Sequence, residues 1–274
     1  MKYQYKITVA IPFYKRIDLV HQAIKFVLNQ DYDLSKVQII VSDEEDSKSH
    51  RHEFESKYKN ILYTVNHKES CTGNNRQSAL SKASGEYITL LDADDLMSPG
   101  FLSEMSRQLD LDEKCSAAIC LSRYYFDSGY SFKKKIRLFP LIIMRELLLR
   151  LAYILNKGYI FPSLFYLCQT SHVMFKSDFI KGQVYNYDYH RGGEDWDFFI
   201  QTLQKGPIRI VRSKLLYYRY SNNSSTNVPV NQNMKWQSYL LLVSRLPKNI
   251  KKGLLFKLFM FYIKLYGGNY DSSK

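Results

Sequence analysis

Through the first half of the chain, short unbroken apolar runs alternate with apolar positions spaced at helical intervals. The run Ile7-Thr8-Val9-Ala10-Ile11 has the continuous character of a strand buried on both faces, and Val20, Ala23, Ile24, Val27 and Leu28 then recur at helical spacing. Residues 37–41 form a second strand-like run and residues 61–65 a weaker third. Residues 73–83 read as a helix leading into a strand over 87–91, and residues 117–122 as a fifth strand. Repeated strand–helix–strand order predicts an α/β fold with parallel strands and right-handed crossovers. In such sheets a ligand lies beyond the carboxyl ends of the strands. Pro12-Phe13-Tyr14 follows the first strand, Asp43-Glu44 the second and Asp92-Ala93-Asp94-Asp95 the fourth, so these groups are expected along one edge.

The second half is less regular. A helix is expected over 141–155, a short strand over 172–175, and a helix over 194–203 entered from a Gly192-Gly193 turn. Residues 208–211 and 215–220 resemble two strands, 221–233 a polar loop, and 248–266 a basic amphipathic helix. No internal repeat is present.

Hydrophobic residues make up 45% of the 274, enough to fill a core, which excludes a disordered chain. Aromatics reach 15%, with 23 Tyr, and such rings bury large area or stack on bases and sugars. The net charge is +13, and two stretches, 133–157 and 245–274, carry +6 each. A nucleic-acid binder would spread aromatics and charge over one continuous basic face. Here the charges alternate with Leu, Ile and Phe, which fits an anionic membrane surface instead, and no nucleic acid is expected. The four Cys have no CxxC spacing and no nearby His pair, so neither zinc nor a disulfide framework is indicated and a reducing compartment is expected. No signal-peptide pattern precedes the first strand and no 18-residue apolar window is free of charge. The expected location is therefore cytoplasmic, peripheral on the inner face of the cell membrane.

Asp92 and Asp94 end an apolar strand, where carboxylates are costly unless they meet water, a partner or a metal. Residues two apart in an extended chain point the same way, so these two converge while Asp95 points elsewhere. Two carboxylates with coordination sites left over suit Mg²⁺ or Mn²⁺ bridging a diphosphate.

The stretch Gly73-Asn74-Asn75-Arg76-Gln77-Ser78-Ala79-Leu80, continued by Gly85-Glu86-Tyr87-Ile88-Thr89-Leu90-Leu91-Asp92-Ala93-Asp94-Asp95, resembles the inverting family 2 glycosyltransferases. So do Val9-Ala10-Ile11-Pro12-Phe13-Tyr14-Lys15-Arg16 and Ile39-Ile40-Val41-Ser42-Asp43, in the family's order over residues 7–101. Beyond these, Gly193-Glu194-Asp195-Trp196 matches and Tyr217-Tyr218-Arg219-Tyr220 matches loosely. The resemblance implies a GT-A fold: a Rossmann-like, mixed but mainly parallel sheet flanked by helices, here with a basic amphipathic helical C-terminal extension. It implies a GT-A domain over 1–220, with a nucleotide-sugar half at 1–110 and an acceptor half at 111–220, followed by a loop and basic tail over 221–274.

The resemblance further implies transfer from a UDP-sugar donor to a glycan or lipid-linked saccharide acceptor. Pro12 and Tyr14 would line the base pocket, with Tyr14 stacking; Arg16 falls in the same donor block. Asp43 would accept from the base N–H, and Arg76 would reach the base or diphosphate. Asp92 would contact ribose or metal, and Asp94 would be the principal ligand of Mn²⁺ or Mg²⁺. Asp195 would be the general base, with Glu194 as the alternative, and His172 and Trp196 would touch the acceptor.

Four positions depart from the family pattern. Lys15 stands where Asn is usual, Glu45-Asp46 replaces Gly-Ser, and Ser221 replaces a His, which leaves a third protein ligand to the metal unassigned. Two other classes of function remain at this level: a non-catalytic nucleotide-sugar-binding or membrane-scaffold relative, and a basic nucleic-acid-binding protein.

Overall fold

The apolar run near the start of the chain becomes β1 (Tyr5–Phe13), which pairs in parallel with β2 (Val37–Asp43) on one side and β4 (Gly85–Leu90) on the other. The computed structural model describes residues 3–45, 48–68, 71–154, 169–185 and 194–221. The expected Gly192-Gly193 turn, the loop beyond Ser221 and the basic helix over 248–266 lie outside those residues.

β3 (Ile61–Val65) adds to β2, and the whole sheet has eight strands in the order β3-β2-β1-β4-β7-β6-β8-β5. β7 (Val173–Lys176) runs antiparallel between β4 and β6 (Ala117–Phe126), so the sheet is mixed but mainly parallel. Where the pattern suggests two strands, one long strand β8 (Ile208–Tyr220) runs parallel to β6. The polar break at Arg212-Ser213 is absorbed by register shifts on either side of Leu121, as a bulge allows. The two-residue β5 (Leu96–Met97) pairs with β8 at the edge.

Alternation along the strands divides the core between the two faces. Val9, Ile11 and Phe13 face α1 (Ile17–Leu28), α2 (Lys48–Lys57) and α4 (Phe101–Asp110), packing with Val20, Ile24, Phe54 and Met105. Ala10, Ile40, Ile88 and Leu90 face the other way, against Ala79 of α3 (Thr72–Ser81), Leu149 of α5 (Phe132–Ile154) and Phe198 of α7 (Glu194–Leu203). The single turn α6 (Ser177–Ile180) follows β7. β4 begins on glycine for a steric reason: a Cβ on Gly85 would lie 2.6 Å from the Thr8 backbone nitrogen.

Candidate active site

The carboxyl ends of β1, β2 and β4 meet at one edge, bringing together the groups expected there. Phe13 lies in register with Asp43, and Leu91 N donates to Ala10 O at 2.8 Å. Asn75 of α3 locks this edge: its Nδ2 donates to Phe13 O at 2.9 Å, and its Oδ1 accepts from Ser42 Oγ at 2.6 Å. The helix after the third strand thus pins the two strand ends between which Tyr14 and Asp43 emerge.

Pro12 is buried within β1, whereas Tyr14 just beyond it is 48% exposed. Lys15 has φ 61, a left-handed conformation that side chains other than Asn, Asp and Gly rarely adopt. An Asn usual at this position has a physical reason, and Lys15 bears the strain. Its ammonium sits 4.9 Å from the Tyr14 ring centroid and 3.4 Å from Glu45, so two departures from the family pattern contact each other.

Asp43 is fully buried. Its Oδ2 accepts from Tyr63 OH at 2.6 Å and pairs with His50 Nδ1 at 2.8 Å, while Oδ1 accepts from Glu45 N at 3.0 Å. The carboxylate is therefore already engaged within the protein and closed off from water. Neither His50 nor Tyr63 is singled out by the motif blocks; both lie in stretches whose local pattern carries no mark of this role.

At the end of β4, Asp95 N donates to Asp92 O at 2.9 Å, turning the chain so that three carboxyls crowd together. Burial, and then the Asp92 charge, push the Asp94 carboxyl up to about 6; Arg16 and Arg219 pull it the other way. Burial and the Asp94 charge hold Asp95 well above the usual carboxylate range, against the opposing effect of a hydrogen bond from Ser171. Asp92 and Asp94 are the carboxylates of this turn that could hold a divalent ion, with Arg76, Arg16 and Arg219 beside them. Among the described residues no three His, Cys, Asp or Glu side chains already surround one point, so such an ion would share its coordination with a ligand's phosphates.

Arg219 braces this turn. Its Nε donates to Asp94 O at 2.9 Å, its backbone N to Asp95 Oδ1 at 3.2 Å, and its Nη2 to Gln22 at 2.9 Å. Ser171 Oγ accepts from Asp92 N at 3.0 Å on the other side.

The buried guanidinium of Arg76 donates to Asp92 Oδ1 at 2.9 Å and to Glu194 Oε1 at 2.8 Å, so it joins two carboxylates. Those charges raise its pKa against the opposing effect of burial, the largest influence on it. Gly73 leaves room for this approach, since a Cβ there would lie 3.3 Å from Tyr185 and 3.9 Å from Glu194. Glu194 is thereby buried beside Arg76. Asp195, the next residue at the start of α7, is only partly buried. Trp196 continues the same helix, and its side chain lies outside the described part.

His172 is 1% exposed, faces Ser122 Oγ and Arg145 through Nε2, and has no partner at Nδ1 among the described residues. Burial, and then the Arg145 charge, hold its pKa well below the usual histidine value, so it stays neutral in the interior.

Comparison with known proteins agrees with this architecture. Residues 8–182 match the family described as Glycosyl transferase family 2. The GalNAc(5)-diNAcBac-PP-undecaprenol beta-1,3-glucosyltransferase of Campylobacter jejuni is 35% identical over 108 residues, 38% of this chain and 34% of that protein. An uncharacterized glycosyltransferase of Rickettsia bellii is 34% identical over 109 residues, 40% of this chain and 15% of that one. These matches span about a third or less of the relatives' length. Among solved structures, S. aureus TarS residues 1–349 in complex with UDP superposes with a TM-score of 0.67 at 14% identity, over 94% of this chain and 71% of that one. Mannosyltransferase PcManGT from Pyrobaculum calidifontis, in complex with GDP-Man and Mn²⁺, gives 0.64 at 16% identity over 96% and 72%. With acidic groups and Tyr14 gathered at the carboxyl edge of a GT-A sheet, and the family match running through β1, β4 and β7, the chain belongs to glycosyl transferase family 2 and is a glycosyltransferase.

Proposed function

We propose that this glycosyltransferase moves a sugar from a UDP-sugar, with inversion, to a hydroxyl of a glycan or lipid-linked saccharide. One observation carries the reading: a buried Arg76 ties Asp92, on the donor edge, to the helix start that bears Asp195. Donor-side carboxylates and a partly exposed carboxylate from far along the chain thus border one site.

Tyr14 stacks on the uracil, and Pro12 and Arg16 border it. Asp43 supplies the acceptor for the base N–H once Glu45 or His50 yields. Asp94, with Asp92, would hold Mn²⁺ or Mg²⁺, which when bound offsets the negative charge growing on the leaving diphosphate. Asp195 takes the proton from the acceptor hydroxyl on the face opposite the leaving UDP. Glu194 keeps Arg76 in place and is not the base. A division of the chain into a donor half over 1–110, an acceptor half over 111–220 and a basic tail over 221–274 follows from these roles. The two basic stretches place the enzyme at the cytoplasmic face of the membrane, where a lipid-linked acceptor of the kind named for the Campylobacter relative would reside.

The test is Asp195→Asn. It keeps size and hydrogen bonding but removes the base, so transfer falls roughly 10²–10⁴-fold while UDP-sugar binding stays near wild type. Wild-type turnover in this variant overturns the assignment.

A further inference from the structure

α5 is apolar on two opposite sides. Leu149 is 3% exposed and joins the core beneath the helix, where Arg145 also reaches Gln169 and His172 at 3.4 Å each. No described residue covers the outer side: Phe132, Ile136, Phe139, Ile143, Leu147 and Ile154 are 43% to 74% exposed. At about 100° and 1.5 Å per residue these side chains fall within about 80° of arc, in a row about 33 Å long. An open groove of about 540 Å³ runs beside them, lined by Phe139, Ile143, Met144, Leu147 and Leu151 among others.

Charge says what such a row meets. By the same helical spacing, Lys133 and Lys135 fall on its two flanks, and exposed Arg150 lies within it. Glu146 is the only acid of α5, and it is already paired with Arg150 at 2.8 Å and Lys214 at 3.0 Å. The helix therefore offers the outside a long apolar strip bordered by cations, with no carboxylate left to repel an anion. No described helix is long and apolar enough to cross a membrane, so α5 can lie along a bilayer but not through it. Apolar side chains in the headgroup–acyl boundary with lysines at the lipid phosphates are the arrangement of an in-plane helix.

We infer that α5 docks the enzyme on an anionic bilayer surface, with the row from Phe132 to Ile154 inserted and Lys133 and Lys135 at the headgroups. The inner side of the same helix connects to the site through few atoms. Arg145 touches His172, and the neighbouring Ser171 accepts from Asp92 N at 3.0 Å. Resting on the proposed transfer reaction, this contact sets the bilayer beside the carboxylate turn, so a lipid-linked acceptor enters from the surface that α5 covers.

The experiment is flotation of the full chain with phosphatidylcholine vesicles, with and without phosphatidylglycerol, at low and high salt. Wild type is expected to float only with phosphatidylglycerol and less at high salt. The variant Phe139→Asp/Leu147→Asp changes exposed positions, and it should lose about tenfold or more of vesicle partitioning, since each apolar insertion is replaced by a charge. Its UDP thermal shift should not change. Lys133→Gln/Lys134→Gln/Lys135→Gln should weaken the salt dependence, the basic stretch 245–274 keeping the remainder. Should the double variant fail to fold, Leu147→Asp alone carries the test. Flotation of the Asp variants at wild-type level overturns the proposal, as does equal flotation of wild type on neutral vesicles or none at all. A wild-type dimer in light scattering that the Asp variants dissolve overturns it too, by making the row a subunit interface. A wild type that floats as expected but shows no UDP shift counts against the donor assignment and not against α5.

Discussion

Arg76 Nη1 lies 2.8 Å from Glu194 Oε1 across 118 residues of sequence, and no other described side chain bonds to Glu194. The same guanidinium holds Asp92 at 2.9 Å, and both contacts are largely shielded from water. Removing one partner of a buried pair strands the other charge, at a cost of about 3–5 kcal/mol. Arg76→Met is therefore expected to lower the urea midpoint sharply. Glu194→Gln should cost less, because Asp92 keeps its cation. In a double-mutant cycle the two changes should couple rather than add. Additive effects in urea unfolding would show that the clasp is not a unit.

The base should separate from its neighbour in sequence. Asp195→Asn is expected to abolish transfer with donor binding retained, whereas Glu194→Gln should weaken transfer mainly through lost stability. Rate and UDP-sugar affinity measured side by side on both variants distinguish the two. If only the Glu194 variant loses turnover at full stability, the role moves one residue.

Donor binding should be selective and metal-assisted. With Mn²⁺ present, UDP should raise the melting temperature more than GDP, CDP or ADP, because the proposed base pocket is built from Tyr14 and Asp43. Asp94→Ala should lose the Mn²⁺-dependent part of that shift and stay folded. Equal shifts across the four diphosphates would sink the base assignment, and full activity in EDTA would remove the metal.

Without metal, the protein should grow less stable as pH rises from about 4 to 7. The Asp94 carboxyl keeps its proton to about 6 in the fold but loses it near 3.8 when unfolded, so folding takes up a proton between those values. A state that binds more protons loses stability as pH rises. Burial of Asp95 acts in the same direction. Thermal melts across this range should show the decline in EDTA, and Mn²⁺ should flatten it. A melting temperature that climbs from pH 4 to 7 in EDTA would contradict the crowding at this turn.

Lys15→Asn should stabilise the protein by about 0.5–1 kcal/mol, since an L residue in the left-handed region costs roughly 1–2 kcal/mol and Asn escapes part of it. The ion pair it gives up, with Glu45 at 3.4 Å, is exposed and worth little. An unchanged m-value with a higher urea midpoint is the expected result. A lower midpoint would mean that Lys15, through Glu45 and the Tyr14 ring, contributes more than the strain removes.

Several features of this protein are written in short stretches of its chain. Apolar runs near residues 9, 39, 63, 88 and 119 mark strands because a strand buried on both faces needs continuous apolar side chains. Their order places Tyr14, Asp43 and Asp92 at one edge before any contact is known, since parallel strands end on the same side. α4 carried a readable signal too, in Phe101, Leu102, Met105 and Leu109 at helical spacing. α2 did not: of the described side chains in Lys48–Lys57 only Phe54 enters the core, and a polar helix leaves no periodic trace. Long-range pairing is different in kind. That β7 inserts antiparallel between β4 and β6, that β8 is one bulged strand, and that His172 is buried while Asp195 stays partly open depend on which distant segments meet. The same holds for Arg76: a helical Arg in sequence looks solvated, and its fate was settled by Asp92 and Glu194 closing on it from either side. Periodicity reports the face a residue turns to the core, whereas partners far along the chain are chosen by packing the whole sheet.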